Sequence, residues 1–434
     1  MVDRTLRLEY AAALLLALLS GVAVTRRPEL ALPAIGAAAF VVGLAVLGDR
    51  ALAWFVTVAA VLPYFPLTIG FEGEAVVPST SLPALLLLSA AGPFAWSIAT
   101  KRAELQTTRG HLLIAASAVL VLLLSLAQSG TEALTTFPSG GFLVGLATYI
   151  CARRFPRPDD WLAPAVVGVA ILLGWGAAEF SMNPDERIGW FTGYPILYAG
   201  LLVMLLPPAL AWSYPRSRPL AAALLGGSVV AVVLSQTRSA WLALVVMLLL
   251  VVALLIRRRR AGAVGLLLVA VVAVSAAIAS SGELSEVLST RLSSQDLATS
   301  SVTHREFSYG YTLDRVQEDP VFGRGVAGAL KEDIEDRTGI TAADNGFLSL
   351  AGDLGVLGLL LGLVPLAAAV ATLARAWSEG VSDAELALAL GLVGMIVVTL
   401  FFDTFYWPQS AVLMYAVSGV LMACRQAARR AAQG

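Results

Sequence analysis

The sequence predicts an all-α, polytopic helical membrane protein with 12 to 14 transmembrane helices and one long outer loop. Three observations carry this. Of 434 residues, 58% are apolar and only 14% charged, against about 45–50% and about 25% in soluble globular domains. A membrane-spanning helix needs ~20 largely apolar residues, and charge-free runs of about that length recur from Leu8 almost to the C-terminus. A transmembrane barrel would instead alternate over ~10-residue strands, whereas Leu242 to Ile256 is apolar without alternation. A soluble protein is therefore excluded, and the mean hydropathy of +0.81 agrees. Cys151 and Cys424 each end an apolar run beside arginines, so neither a disulfide framework nor a cysteine metal site is expected. With His111 and His304 the only histidines, clustered-histidine metal chemistry is excluded as well. The first apolar run has no small-residue cleavage site, so it reads as a first span and not a removed signal peptide.

Runs bounded by charges, prolines and glycines place spans near 8–24, 29–47, 51–70, 82–99, 112–128, 136–151, 161–180, 192–213, 219–235, 239–256, 262–280, 347–375, 384–403 and 407–424. With both termini cytoplasmic, 19 of the 29 basic residues gather on the inner side, including the run Arg257 to Arg260. The short outer loops then hold only Arg26, Arg27, Arg187 and Arg238, which the positive-inside rule favours. The chain divides into N-terminal spans (1–180), central spans (181–280), a long outer loop (281–345) and C-terminal spans (346–434). That loop, Ser281 to Asn345, is the only long hydrophilic stretch, with six basic and twelve acidic residues. Thr303 with Glu306 reads as a capping box, opening a helix that ends near Glu318 before Asp319-Pro320. A glycine-rich turn over Val321 to Gly328 follows, then a short charged helix from Ala329 to Arg337, leading to Asp344-Asn345-Gly346 at the next span.

Several residues in this region could carry chemistry. Arg238 lies at the outer N-terminus of a span, where a cation opposes the helix dipole and sits on the side the positive-inside rule disfavours. Either an anion lies nearby or the side chain snorkels to headgroups. Arg305, in the first turn of the loop helix, shares the dipole mismatch; its alternative is pairing with Glu306 or Glu179. Arginine suits a diphosphate because its planar fork binds phosphate oxygens bidentately and stays charged. Asp344, where the loop re-enters the membrane, is the candidate acid–base residue, although Asp344 or Asn345 also makes a good N-cap. His304 beside Arg305 is the only outer histidine. Asp353, Asp403 and Glu179 are ionisable residues in or near spans, which are functional suspects by default, and interhelical hydrogen bonding is their alternative. Trp190, Phe191, Tyr194 and Tyr198 read as an interfacial belt.

Three stretches together resemble the O-antigen ligase and polymerase family: Ser235-Gln236-Thr237-Arg238-Ser239-Ala240; Arg305 followed by Asp319-Pro320-Val321-Phe322-Gly323-Arg324-Gly325; and Asp344-Asn345-Gly346-Phe347-Leu348 leading into Asp353-Leu354-Gly355-Val356-Leu357-Gly358. The resemblance covers roughly residues 190 to 376. It implies a multi-pass glycosyltransferase of the bacterial inner membrane. Such an enzyme moves a glycan from an undecaprenyl-diphosphate-linked oligosaccharide to a glycan or lipid-linked acceptor on the outer side, without cofactor or metal and with no nucleic-acid partner. It further implies that Arg238 and Arg305 hold the diphosphate; the reading of the residues themselves makes Asp344 the catalytic candidate and His304, Arg324, Asn345 and Asp353 the auxiliary candidates, with a solvated or structural role the alternative for His304. Ligases typically carry histidine where this chain has Asp344, whereas many polymerase-like members resemble it in carrying Asp-Asn. The expectation is therefore a polysaccharide polymerase, with a ligase acting on lipid A-core as the alternative and a transporter or flippase of lipid-linked substrates as the alternative of another class.

Overall fold

The computed structural model describes residues 50–62, 70–71, 74–75 and 120, most of 142–257, 295–323 and nearly all of 345–433, with 295–305 given by their backbone. The spans expected near 8–24, 29–47, 82–99 and 262–280, nearly all of 112–128 and part of 136–151 lie outside the described residues. So do the helix expected at 329–337 and residues Arg324 and Asp344.

The described helices are α1 (Ala51–Val61), α2 (Leu162–Met182), α3 (Pro195–Ser213), α4 (Arg218–Leu234), α5 (Arg238–Arg257), α6 (Gln295–Glu318), α7 (Gly346–Ser378), α8 (Asp383–Thr399) and α9 (Pro408–Ala431). Two strands of two residues each, Gly70–Phe71 and Glu74–Ala75, pair as a small antiparallel hairpin. Among the described residues four helical segments, Pro158–Met182, α3, α7 and α9, are long and apolar enough to cross a bilayer. The protein is thus an all-α polytopic membrane protein. The outward faces agree, since Leu242, Val245, Leu249 and Ile256 on α5 and Val356, Leu360 and Val370 on α7 are exposed apolar side chains of the kind lipid covers.

Local sequence sets the helix ends. Leu62 is extended because it precedes Pro63, so the span expected over 51–70 stops at Val61. Ser217 caps α4 by accepting the Leu220 N–H at 3.3 Å. Ser382 caps α8 by accepting the Glu385 N–H at 3.1 Å, in a Ser-x-x-Glu sequence suited to a capping box. Arg429 and Arg430 close α9 where the helix dipole is negative.

Because successive helices run in opposite directions, their ends sort into two sets. One end is arginine-rich: Arg50 pairs with Asp160 at 3.1 Å, Arg375 with Glu385 at 3.0 Å, and Arg153 bonds Gln426 at 2.6 Å. The opposite end, here the loop end, gathers residues 183–194, 235–238, 345–355 and 399–408. Between the two ends, α3 lies at the centre with Leu197 to Leu206 buried, packed by α2, α4 and α8.

α7 departs from the expectation of one simple span over 347–375. Its 33 residues would make a straight rod of about 50 Å, against a hydrocarbon core of ~30 Å. The helix instead folds back at Gly355, whose φ of 62° and ψ of −155° are non-helical and belong to a region occupied essentially by glycine. Leu350 consequently meets Gly358 and Gly362, and a Cβ on Gly362 would lie 2.6 Å from Leu350 Cδ1. In a straight helix Leu350 would lie roughly 12 Å from Gly358 and roughly 18 Å from Gly362 along the axis.

The turn after α6 docks onto this fold-back. Pro320 O accepts the Val356 N–H at 2.8 Å, and Gly323, at φ 61°, lies so close that its Cβ would fall 2.4 Å from the Asp353 carbonyl carbon. Gly355 meets the Val321 carbonyl as closely from the other side. Gly323→Ala combines left-handed strain of about 1–2 kcal/mol with overpacking of about 1–3 kcal/mol. Thermal unfolding in detergent should show marked destabilisation, whereas Gly310→Ala on α6, with nothing within 4 Å of its Cβ, should be neutral or slightly stabilising.

Candidate functional site

The link between α4 and α5 is three residues long. Gln236 adopts a positive φ of 53°, and its N–H bonds Val233 O at 2.9 Å. Thr237 O then accepts from Ala240 N at 3.1 Å and Trp241 N at 3.2 Å, closing the first turn of α5. Arg238 is the first residue of α5 and is exposed, so the dipole mismatch expected there is real. Ser235 and Thr237 on either side of Gln236 are buried.

A second turn, residues 183–194, braces this one. The Glu179 carboxylate at the end of α2 accepts the N–H groups of Gly189, Trp190 and Phe191, that of Trp190 at 3.2 Å. Glu179 is therefore a structural anchor for backbone amides, which settles its role in favour of hydrogen bonding. From this turn Arg187 Nε donates to Ser235 O at 3.0 Å. Tyr194 stacks on Phe402 with ring centroids 5.3 Å apart, and Gln409 Nε2 donates to Thr192 O at 3.4 Å. Of the aromatic belt read from the sequence, Trp190 and Tyr194 form a ladder joining the 183–194 turn to the α8–α9 connector, Phe191 packs on Trp175 of α2, and Tyr198 is buried and bonds Leu172 O at 3.0 Å.

The connector carries a buried polar network. Asp403 is 1% exposed and Asp353 3%. Ser349 Oγ donates to Asp403 Oδ1 at 2.5 Å, and the Tyr406 hydroxyl donates to Asp353 Oδ2 and lies 3.2 Å from Ser349 O. Burial, reinforced by the Asp353 carboxylate, pushes the Tyr406 phenol well above its usual pKa, so it stays protonated and donates. Buried carboxylates are tolerated where such donors meet them. The auxiliary role read for Asp353 is thus joined by a structural one: it fixes the fold-back of α7 to the connector, beside the Gly323 turn.

Asn345 Oδ1 accepts the N–H groups of Phe347 at 3.0 Å and Leu348 at 3.1 Å. Of the two cap candidates, Asn345 fills the position. Asp344 itself lies outside the described residues, as does Arg324. Arg305 and His304 require a correction. α6 begins at Gln295, so Thr303-Glu306 is not its opening capping box, and Arg305 is the eleventh residue of the helix. The dipole argument for Arg305 therefore falls. Its backbone position is three and seven residues before Ser308 and Thr312, which are buried, on a helix that packs against α7.

A continuous chain of contacts thus runs from the Arg238 turn through Arg187, the 183–194 turn and the α8–α9 connector to Asn345, Asp353 and the turn after α6. Sequence reasoning did not single out Arg187, Ser349 or Tyr406 as site residues. The available signal was Arg187 as one of few cations at this end, and the polar-aromatic cluster Asp403 to Trp407 between two apolar runs. Among the described residues no group of three or more His, Cys, Asp or Glu gathers as a metal site.

These features define a polytopic membrane protein in which the turn after α6 packs on the α7 fold-back at one end of the helices. Residues 220–363 match the family model described as O-Antigen ligase, so this part of the chain is similar to that family. The match spans α4, α5, α6 and the fold-back of α7. It supports glycan transfer of the O-antigen ligase and polymerase type, with lipid-linked polysaccharide substrates, in the bacterial inner membrane. No curated protein matches the chain. Loss of the cap in Asn345→Ala should destabilise the protein by about 0.5–2 kcal/mol, and Asn345→Asp should unfold within a few tenths of a kcal/mol of wild type, both read by thermal unfolding in detergent.

Proposed function

We propose that the protein is a polysaccharide polymerase of the O-antigen type, transferring a glycan from an undecaprenyl-diphosphate donor to the end of another lipid-linked glycan. The observation that carries this reading is Arg238, exposed at the head of α5 inside the family-matched segment, on the loop end and away from the arginine-rich end. By the positive-inside rule the arginine-rich end faces the cytoplasm, so the loop end, with Ser281 to Asn345, faces outward and both termini lie inside. Arg238 and Arg305 clamp the diphosphate. The acceptor hydroxyl oxygen bonds the anomeric carbon as the bond from that carbon to the diphosphate oxygen breaks, with inversion. The hydroxyl proton passes to Asp344, and the electron pair leaves on the diphosphate, whose developing charge the arginines stabilise. No metal is required by this scheme. Asn345 supplies the helix cap, so the local structural role open to Asp344 in the sequence is filled by its neighbour.

The test is reconstitution with undecaprenyl-diphosphate oligosaccharide extracted from the native membrane. A ladder of lengthened glycans with release of undecaprenyl diphosphate supports polymerase. Transfer to added lipid A-core supports ligase, and movement across the vesicle without bond formation supports a transporter. In the same assay, Arg238→Ala and Arg305→Ala should abolish transfer, and lysine should rescue poorly because it cannot form the bidentate fork. Asp344→Asn should remain folded and lose about 10²–10⁴-fold in rate; a fully active variant would remove Asp344 as the base. For orientation, a cysteine at Ser294 should react with a membrane-impermeant reagent from the outer face, and protection until lysis would invert the topology.

A further inference from the structure

We propose that Arg187 is a positioning residue for the diphosphate site, holding the turn that presents Arg238; the proposal rests on the clamp reading of Arg238. Ser235-Gln236-Thr237 is the entire link between α4 and α5. Gln236 occupies a φ of 53°, which glycine adopts freely and a side-chain-bearing residue does not. The peptide plane turned by that angle carries the Ser235 carbonyl, and this oxygen takes two donors, Arg187 Nε at 3.0 Å and Thr237 Oγ1 at 3.3 Å. Arg187 is in turn held on a clamped turn, because three successive backbone N–H groups, those of Gly189, Trp190 and Phe191, bond the Glu179 carboxylate. The restraint therefore runs from Glu179 through Arg187 to the Ser235–Gln236 peptide, two residues before Arg238. Without Arg187 the Ser235 carbonyl loses its Nε donor, which weakens the hold on the left-handed geometry at Gln236 and on the start of α5 that follows it. Small misplacements of a binding group are enough to cost up to about 10²-fold.

The test measures binding of undecaprenyl diphosphate to the purified full-length protein in detergent, together with its melting temperature. Arg187→Gln should weaken binding about tenfold, equivalent to about 1.4 kcal/mol, with a melting temperature close to wild type. Adding Gln236→Gly, which supplies a residue that takes the positive φ unaided, should restore most of the lost affinity. Normal binding by Arg187→Gln overturns the proposal, and so does a loss that Gln236→Gly leaves unchanged. Should Arg187→Gln not insert, Arg187→Lys, which moves the donor off the Nε position, is read in the same way with the same partner substitution. Arg238→Ala measured alongside separates the two levels. If it binds normally, the clamp reading and this proposal both fall; if it loses binding while Arg187→Gln does not, this proposal alone falls.

Discussion

Two glycines without room for a Cβ hold the loop end together. Gly323 of the turn after α6 and Gly355 of the α7 fold-back lie against each other's backbone, with the Pro320 carbonyl taking the Val356 N–H. This contact welds a hydrophilic segment to a membrane helix at the point where that helix reverses. The reversal leaves Leu350 against Gly358 and Gly362 and brings Asp353 to Tyr406. Asn345 at the mouth of α7, the connector from Leu400 to Trp407 and the start of α9 all depend on that path.

The same end concentrates groups that a membrane protein does not bury without cause. Asp353 and Asp403 are almost fully buried, each accepting from a hydroxyl, and three amides converge on Glu179. These carboxylates serve as fixed acceptors that lock turns and helix ends in place. Arg238 differs, being exposed at a helix N-terminus, where its charge opposes the dipole. Carboxylates that accept from backbone amides and hydroxyls thus fix the turns and helix ends around the one that carries Arg238.

Sequence alone located helices well where hydrophobic runs end at prolines or charges, as at α2, α4, α5, α8 and α9, of which α2 and α9 belong to segments long and apolar enough to cross a bilayer. It mislocated the start of α6, because Thr303-x-x-Glu306 is a local pattern that also fits inside a longer helix, and Arg305 lost its special position with it. The α7 fold-back is invisible to hydropathy since 347–375 is apolar throughout; the spacing Gly352, Gly355, Gly358, Gly362 was its only trace. Asn345 against Asp344 as the cap was undecidable from residue type, both being good caps. Arg238 was legible because its penalties are local. Arg187, Ser349 and Tyr406 were not, because their partners lie 48 to 54 residues away or more in the chain, and such pairings emerge only when helices pack.

In the proposed mechanism one diphosphate lies at the loop end between Arg238 and Arg305 of α6. A cryo-electron microscopy structure with undecaprenyl diphosphate bound tests it most directly. Both phosphates should lie at the head of α5 within hydrogen-bond distance of the Arg238 and Arg305 guanidinium groups. Phosphates bound at the arginine-rich end, or at the loop end with Arg238 turned away to the lipid, would contradict it.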